Sequence, residues 1–277
     1  MKLSVIVVNR NTCALLKQAV NSLITACKGF DYELFMIDNG STDKSMEMIA
    51  RDFPGVQVIA NQADAGVSKA SNQALSIARG EYILLVSPDT ICGTDTIEKA
   101  TGFMDIHHEV SGLAVRMLTP QGRFLPESIR GLTLRWVTFF KLIGFSKYFS
   151  KSRLTNRTRK DWVAEFQISE IDILNSDCML LRSSVLNEIG LFDERFVQYG
   201  HNIDLSYRMR LAGFKNFYYP KTYIINYDSK ATAKFSWSYI KHFYGAMFIF
   251  ASKYLFKLPE IKLAGVPQLV PSSYEVK

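Results

Sequence analysis

Leu3-Ser4-Val5-Ile6-Val7-Val8-Asn9-Arg10-Asn11 opens the chain with a mostly β-branched apolar run that stops abruptly in polar residues. β-branched side chains suit a pleated, buried surface, and an unbroken apolar run marks a strand covered on both faces. Outward from it, helix-like and strand-like stretches alternate. Leu15, Leu16, Ala19, Val20, Leu23 and Ile24 recur at helical spacing. Glu33 to Ile37 reads as a second strand, ending in Asp38-Asn39-Gly40-Ser41, and Ser41 or Asp43 can cap a helix running to about Ala50. Val56 to Ala60 is a short third strand. A helix after Gly66 carries Val67, Ala70, Ala74, Ile77 and Ala78 on one side, and Gly80 ends it. Tyr82 to Val86 is a fourth buried strand, leading into Ser87-Pro88-Asp89. This β-α-β-α order demands a mostly parallel sheet with helices on both faces.

In such sheets ligands sit beyond the carboxyl ends of the strands. Polar residues collect there: Asn9 and Asn11 after the first strand, Asp38 after the second, Asp64 after the third and Asp89 after the fourth. A single polar turn is ordinary turn chemistry, but four on one rim point to a site. Neither a G-x-G-x-x-G nor a P-loop sequence is present, which argues against a dinucleotide dehydrogenase or a P-loop enzyme.

Of the 277 residues, 48% are hydrophobic and 21% charged, with a formal net charge of +7. That composition excludes a disordered chain, a collagen-like repeat and a disulfide-stapled miniprotein. Cys13, Cys27, Cys92 and Cys178 form no C-x-x-C pair and read as buried free thiols in a reducing compartment. The opening apolar run is too short for a signal peptide, and no stretch of about 18 apolar residues exists to span a bilayer. The expected location is therefore cytoplasmic.

Taken together, these segments resemble the inverting family 2 glycosyltransferases of GT-A fold, in particular the rhamnosyltransferase-like branch. Val5 to Asn11 resembles the opening strand S-V-I-V-V-N-Y-N. Met36-Ile37-Asp38-Asn39-Gly40-Ser41-Thr42-Asp43 is similar to the turn that holds the nucleotide base. Asn61, Gly66, Lys69, Ala70 and Asn72 fit an N-x-x-N-x-G-x-x-x-A-x-N segment, with Asp64 where Asn is usual. Ser87-Pro88-Asp89-Thr90 resembles N-P-D-T, this branch's form of the metal-binding triplet. Cys178 to Arg182 and Gly190-Leu191-Phe192-Asp193-Glu194-Arg195-Phe196 look like the acceptor-side strand and its following turn. The resemblance covers Leu3 to about Lys257.

It implies a GT-A-like, mixed but mostly parallel sheet in one domain, residues 1–257. Residues 1–117 would be the nucleotide-sugar half. Residues 118–257 would be the acceptor half, with a basic variable segment at 127–170 and an aromatic helix at 236–257, and 258–277 a loose tail. The nucleotide would meet Val8, Asn9, Asn11, Asp38, Asn39, Gly66, Lys69, Asn72 and Ser87. Asp89 would hold a divalent metal, manganese or magnesium, weakly. Such a metal neutralises charge on a departing diphosphate, while a carboxylate takes the proton of the attacking hydroxyl. The implied partners are a nucleoside-diphosphate sugar and a polysaccharide or lipid-linked glycan acceptor.

The likeness breaks where catalysis is expected. The family's Y-x-E-D-x-D-L reads Tyr199-Gly200-His201-Asn202-Ile203-Asp204-Leu205, so Asn202 replaces the base and His201 the preceding glutamate. An amide accepts no proton at neutral pH. Ser87 opens the metal triplet, and Asn226 stands where a metal-contacting histidine is common. Two readings follow: His201, Asp204 or Asp177 serves as base, or the chain is a non-catalytic GT-A-like module that binds nucleotide or glycan.

Between Lys141 and Lys160 lie seven basic residues and no acidic one: Lys141, Lys147, Lys151, Arg153, Arg157, Arg159 and Lys160. With interleaved aromatics, such a run suits an anionic membrane surface, a solvated loop or, least well, nucleic acid. The first reading adds a peripheral contact at the inner face of the cell membrane. Ser236 to Lys257 is apolar around most of a helical circumference, fitting either a helix packed on the core or an interfacial one. The oligomeric state is not encoded in any of these patterns.

Overall fold

The computed structural model describes residues 1–130, 134–144, 165–227 and 237–254. Most of the basic segment and the whole 258–277 tail lie outside the described residues. The first half follows the alternation read from the sequence: β1 (Leu3–Asn9), α1 (Cys13–Ala26), β2 (Tyr32–Asn39), α2 (Ser45–Asp52), β3 (Gln57–Asn61), α3 (Val67–Leu75) and β4 (Tyr82–Val86). The second half contains β5 (Thr90–Cys92), α4 (Thr96–Ile106), β6 (Val110–Leu118), α5 (Glu127–Arg130) and α6 (Leu134–Leu142). It continues with β7 (Ser169–Ile171), β8 (Cys178–Arg182), α7 (Ser183–Ile189), α8 (His201–Leu211), β9 (Lys215–Asn226) and α9 (Trp237–Tyr254).

All the strands join one sheet in the order β3-β2-β1-β4-β8-β6-β9-β5, with β7 on β9. Parallel pairing holds through β3-β2-β1-β4. Beyond β4 antiparallel pairing predominates, so the sheet as a whole is mixed, its parallel part confined mainly to the first half. β8 runs antiparallel to both β4 and β6, β9 is parallel to β6, and β5 and β7 are antiparallel to β9. The chain leaves β1 toward β2 and β3 on one side and returns to β4 on the other. The crevice of this switch point therefore opens beside the carboxyl end of β1.

Strand periodicity of two divides the core. Leu3, Val5, Val7, Leu34, Met36, Leu84 and Leu180 pack with α1, α2 and α4. Ile6, Phe35, Ile37, Ile83, Leu85, Met179 and Leu181 pack on the other face with α3, α7 and α8. A third cluster joins Trp136 and Phe140 of α6, Phe196, Tyr207 of α8, and Phe243, Met247 and Phe250 of α9. That cluster decides the place of the last helix: its apolar face lies on the core, leaving Tyr244 and Phe248 exposed outside. Cys27, Cys92 and Cys178 are buried free thiols, with Cys13 half-buried.

One boundary departs clearly from the sequence reading. α3 ends at Leu75 rather than at Gly80. The backbone N–H of Arg79 is drawn to Glu33 Oε1 at 2.7 Å and that of Gly80 to Ser4 Oγ at 2.8 Å, so neither continues the helix. A Cβ on residue 80 would lie 2.4 Å from the Ser4 nitrogen, so this close crossing over β1 admits only glycine.

Candidate active site

The rim residues are laced together. Asn9 and Asp38 are directly paired across β1 and β2. Asn9 Nδ2 donates to Asp38 Oδ1 at 3.2 Å and to Ser41 Oγ at 3.1 Å, and the Ser41 N–H donates to Asp38 Oδ2 at 2.9 Å. Both Asn9 and Asp38 are buried. Asn11, held at a positive φ of 55°, accepts the Thr42 N–H at 2.7 Å. Asn39 donates to Asp64 Oδ1 at 2.7 Å and accepts the Ala65 N–H at 3.0 Å. Asp64 in turn receives the Gly66 N–H at 2.9 Å and an ion pair from Arg10. Two hydrogen-bonded groups thus sit side by side across the ends of three strands: Asn9, Asn11 and Asp38 gathered about the Ser41–Thr42 turn, and Asn39 with Asp64. Val8 faces the second core from the half-buried last turn of β1.

The α3 side is stitched to the acceptor half. Asn72 donates to the Phe192 carbonyl at 2.9 Å and accepts the Phe192 N–H at 3.1 Å. Ser68 donates to the Phe196 carbonyl, and the Val67 N–H reaches the Val197 carbonyl at 2.7 Å. Gly66 has φ of +82°, and a Cβ there would lie 2.6 Å from Val197 Cγ1. Gly66 and Asn72 therefore serve this seam in the structure, whereas Lys69 stands exposed beside it with no hydrogen bond or ion pair among the described residues.

At the end of β4, Ser87 is half-buried and Asp89 buried. The Ser87 N–H donates to the Asp177 carbonyl at 2.9 Å, and the Tyr227 N–H to the Asp89 carbonyl at 2.9 Å. Thr90 pairs with Asn226 across β5 and β9, which brings Asn226 near Asp89. Among the described residues no group of three or more His, Cys, Asp or Glu is arranged to hold a metal. A hard cation takes six or more oxygens, so a cation at Asp89 would draw most of its ligands from water or a bound diphosphate.

The residues expected to act on the acceptor part company. His201 is buried at the start of α8, edge-on to Phe192 with ring centroids 5.3 Å apart. Asn202 donates its amide to the Leu174 carbonyl at 2.8 Å. Asp204 is completely buried and accepts from Arg208 Nε at 2.9 Å, Lys253 Nζ at 2.7 Å and the Tyr254 hydroxyl at 2.7 Å. Lys253 also reaches Asp193 Oδ2 at 2.8 Å, and Asp193 holds Arg195. Burial alone would raise the Asp193 carboxyl, but hydrogen bonds from Arg195 and Lys253 outweigh it and hold the group well below the usual carboxylate range. Burial, then the Asp204 charge, pushes the Tyr254 hydroxyl far up. Asp177 is half-buried beside Ser87. Sequence reasoning missed Ser206, Lys253 and Tyr254. Ser206 carries a faint signal, four residues from Asn202 on one helix face; the other two carry none, being 49 and 50 residues from Asp204.

Comparison with known proteins identifies the family and the fold. The family model described as glycosyl transferase family 2 matches residues 4–160. An N-acetylglucosaminyl-diphospho-decaprenol L-rhamnosyltransferase of Mycobacterium tuberculosis is 21% identical over 228 residues, spanning 78% of this chain and 73% of its own. The poly(ribitol-phosphate) beta-N-acetylglucosaminyltransferase TarS of Staphylococcus aureus is 30% identical over 135 residues, 47% of this chain and 23% of TarS. The crystal structure of S. aureus TarS 1-349 in complex with UDP-GlcNAc superposes with a TM-score of 0.60 at 22% identity, covering 94% of this chain and 68% of that one. In another TarS crystal structure the chain spans 41% of the length.

Proposed function

The chain belongs to glycosyl transferase family 2, and on that premise we propose that it moves a sugar from a nucleoside-diphosphate sugar to a hydroxyl of a cell-wall polysaccharide or lipid-linked glycan, inverting the anomeric carbon. The observation that carries the reading is the buried Asn9–Asp38 pair at the switch point, with Asp89 at the end of the neighbouring strand. A carboxylate there accepts a base N–H, and a diphosphate then extends along the rim toward Asp89. That relatives are named as transferases, and that one is solved with UDP-GlcNAc, supports a nucleotide-sugar donor. A divalent cation would be held by Asp89 together with diphosphate oxygens, where it offsets negative charge on the leaving group. The basic segment suits an acceptor at an anionic membrane surface.

The second reading, a module that binds without turning over, draws on Asn202, whose side chain is a donor where a base is expected. Nucleotide binding is common to both readings and is tested first. UDP, dTDP and GDP at millimolar concentration are compared by thermal denaturation, with and without manganese. A ligand at a hundred times its Kd adds about 2.7 kcal/mol to stability. One of the three should raise the melting temperature, more so with manganese, and Asp38→Ala should abolish the shift. A chain indifferent to all three nucleotides binds none of them, and the transferase reading fails.

A further inference from the structure

α8 grips one residue of the neighbouring loop from both sides. Asn202 Nδ2 donates to the Leu174 carbonyl at 2.8 Å, and the Leu174 N–H donates to Ser206 Oγ at 3.1 Å. Asn202 and Ser206 are four residues apart and share a helix face. The loop that leaves Leu174 is fastened twice more. Asn175 donates to the Glu127 carbonyl at 3.3 Å and accepts the Asp177 N–H at 2.6 Å. The Asp177 carbonyl then takes the Ser87 N–H at 2.9 Å, just before Cys178 enters register with Val86. These contacts run from Asn202 through the loop to Asp177, which is set half-buried against Ser87, two residues before Asp89.

We propose that Asp177 is the catalytic base of this chain and that Asn202 and Ser206 are positioning residues that hold its loop. The inference rests on the transferase reading and says which group performs the proton transfer. Asp204 is fully buried and bound by three donors, and His201 is buried against Phe192. Asp177 combines a carboxyl group with partial exposure at the rim. In the step, the acceptor hydroxyl oxygen bonds to the anomeric carbon as that carbon's bond to the diphosphate oxygen breaks. The bonding pair leaves with the diphosphate, and the hydroxyl proton passes to the Asp177 carboxylate. Asn202 is then no relic of a lost base. A carboxylate in its place would face the Leu174 carbonyl, acceptor against acceptor, and would release the loop.

The test compares the native chain with Asp177→Asn, Asn202→Ala, Asn202→Asp and Ser206→Ala. Diphosphate binding is read by calorimetry, and nucleotide release from UDP-GlcNAc, UDP-glucose and dTDP-rhamnose by initial rates, kcat and KM separately. Asp177→Asn should bind nucleotide as the native chain does and lose about 10²–10⁴-fold in kcat. Asn202→Ala and Ser206→Ala should lose about tenfold to 10²-fold in kcat with KM unchanged, since misplacement of a reacting group acts on the chemical step. Asn202→Asp should be no better than Asn202→Ala. Should the variants at 202 fail to fold, Ser206→Ala carries the positioning test. Native turnover in Asp177→Asn, an Asn202→Asp chain faster than native, or a native chain that binds nucleotide yet cleaves none of the three donors would overturn the proposal while leaving nucleotide binding intact. Absence of nucleotide binding in the native chain strikes the transferase reading itself.

Discussion

Single residues in this protein illustrate how little a side chain's identity says about its work until its partners are known. Asp204 and Asp38 are both buried carboxylates. Asp38 faces the rim through Asn9 and the Ser41 N–H, whereas Asp204 is completely buried between α8 and α9, bound by Arg208, Lys253 and Tyr254. Removing one member of a buried ion cluster strands the others without compensation, at about 3–5 kcal/mol. Asp204→Asn should therefore lower unfolding free energy by an amount in that range in urea titrations, with nucleotide binding retained by the folded fraction. A loss below about 1 kcal/mol would mean that the cluster is solvated and contributes as a surface pair does.

At the scale of elements, α8 and α9 are a matched pair. α8 buries Asn202, Asp204 and Ser206 among its apolar neighbours, so its polar residues do not sort to one solvent face. It is stable because each of these groups has a partner in the loop between β7 and β8 or in α9. α9 is fastened by its aromatic face and by Lys253, which bridges Asp193 and Asp204. The depressed Asp193 carboxyl makes that anchor sensitive to acid. A group whose folded pKa lies below its unfolded value, about 3.9 for aspartate, contributes stability in full above that value. The contribution fades as pH falls toward the folded pKa. Lys253→Met should thus be less stable than native at pH 7, and the gap should narrow between pH 4 and pH 2.5 in urea titrations. A gap that stays constant over this range would place the Lys253 contribution in packing rather than in charge.

For the whole molecule, β8 ties the two halves. It enters the sheet between β4 and β6, so the parallel half has no free inner edge. The seam between α3 and the 192–197 turn adds side-chain bonds to the backbone from Asn72 and Ser68. Residues 1–117, which read in the sequence as a nucleotide-sugar half, should therefore not fold alone. Without β8, the β4 edge presents unpaired backbone and the strand loses the cover of Met179 and Leu181. Expressed by itself, the fragment should aggregate or give no cooperative thermal transition in circular dichroism. A soluble fragment with a sharp transition would show the first half to be an autonomous unit.

Much of this architecture was legible along the chain. The unbroken apolar runs at Leu3–Val8 and Tyr82–Val86 and the helical stripe from Leu15 to Ile24 are short-range patterns. Burial on two faces or along one stripe follows from local periodicity. The polar rim was legible for the same reason, because parallel strands deliver their following turns to one edge. The antiparallel insertion of β8 was not, since strand order depends on pairings between segments far apart. The roles of the polar residues were hidden too. In the sequence Asn202 stands where the family has its base, and nothing there shows that its amide donates to the Leu174 carbonyl, 28 residues away. Asn72 fits a nucleotide-binding pattern and spends both ends of its amide on Phe192, 120 residues away. A hydrogen bond is made or lost within a few tenths of an ångström, and a sequence carries no distances. The chain by itself determined the elements and the edge where their polar turns collect. Only the tertiary structure decided which polar side chains face that edge and which are bound into the frame behind it.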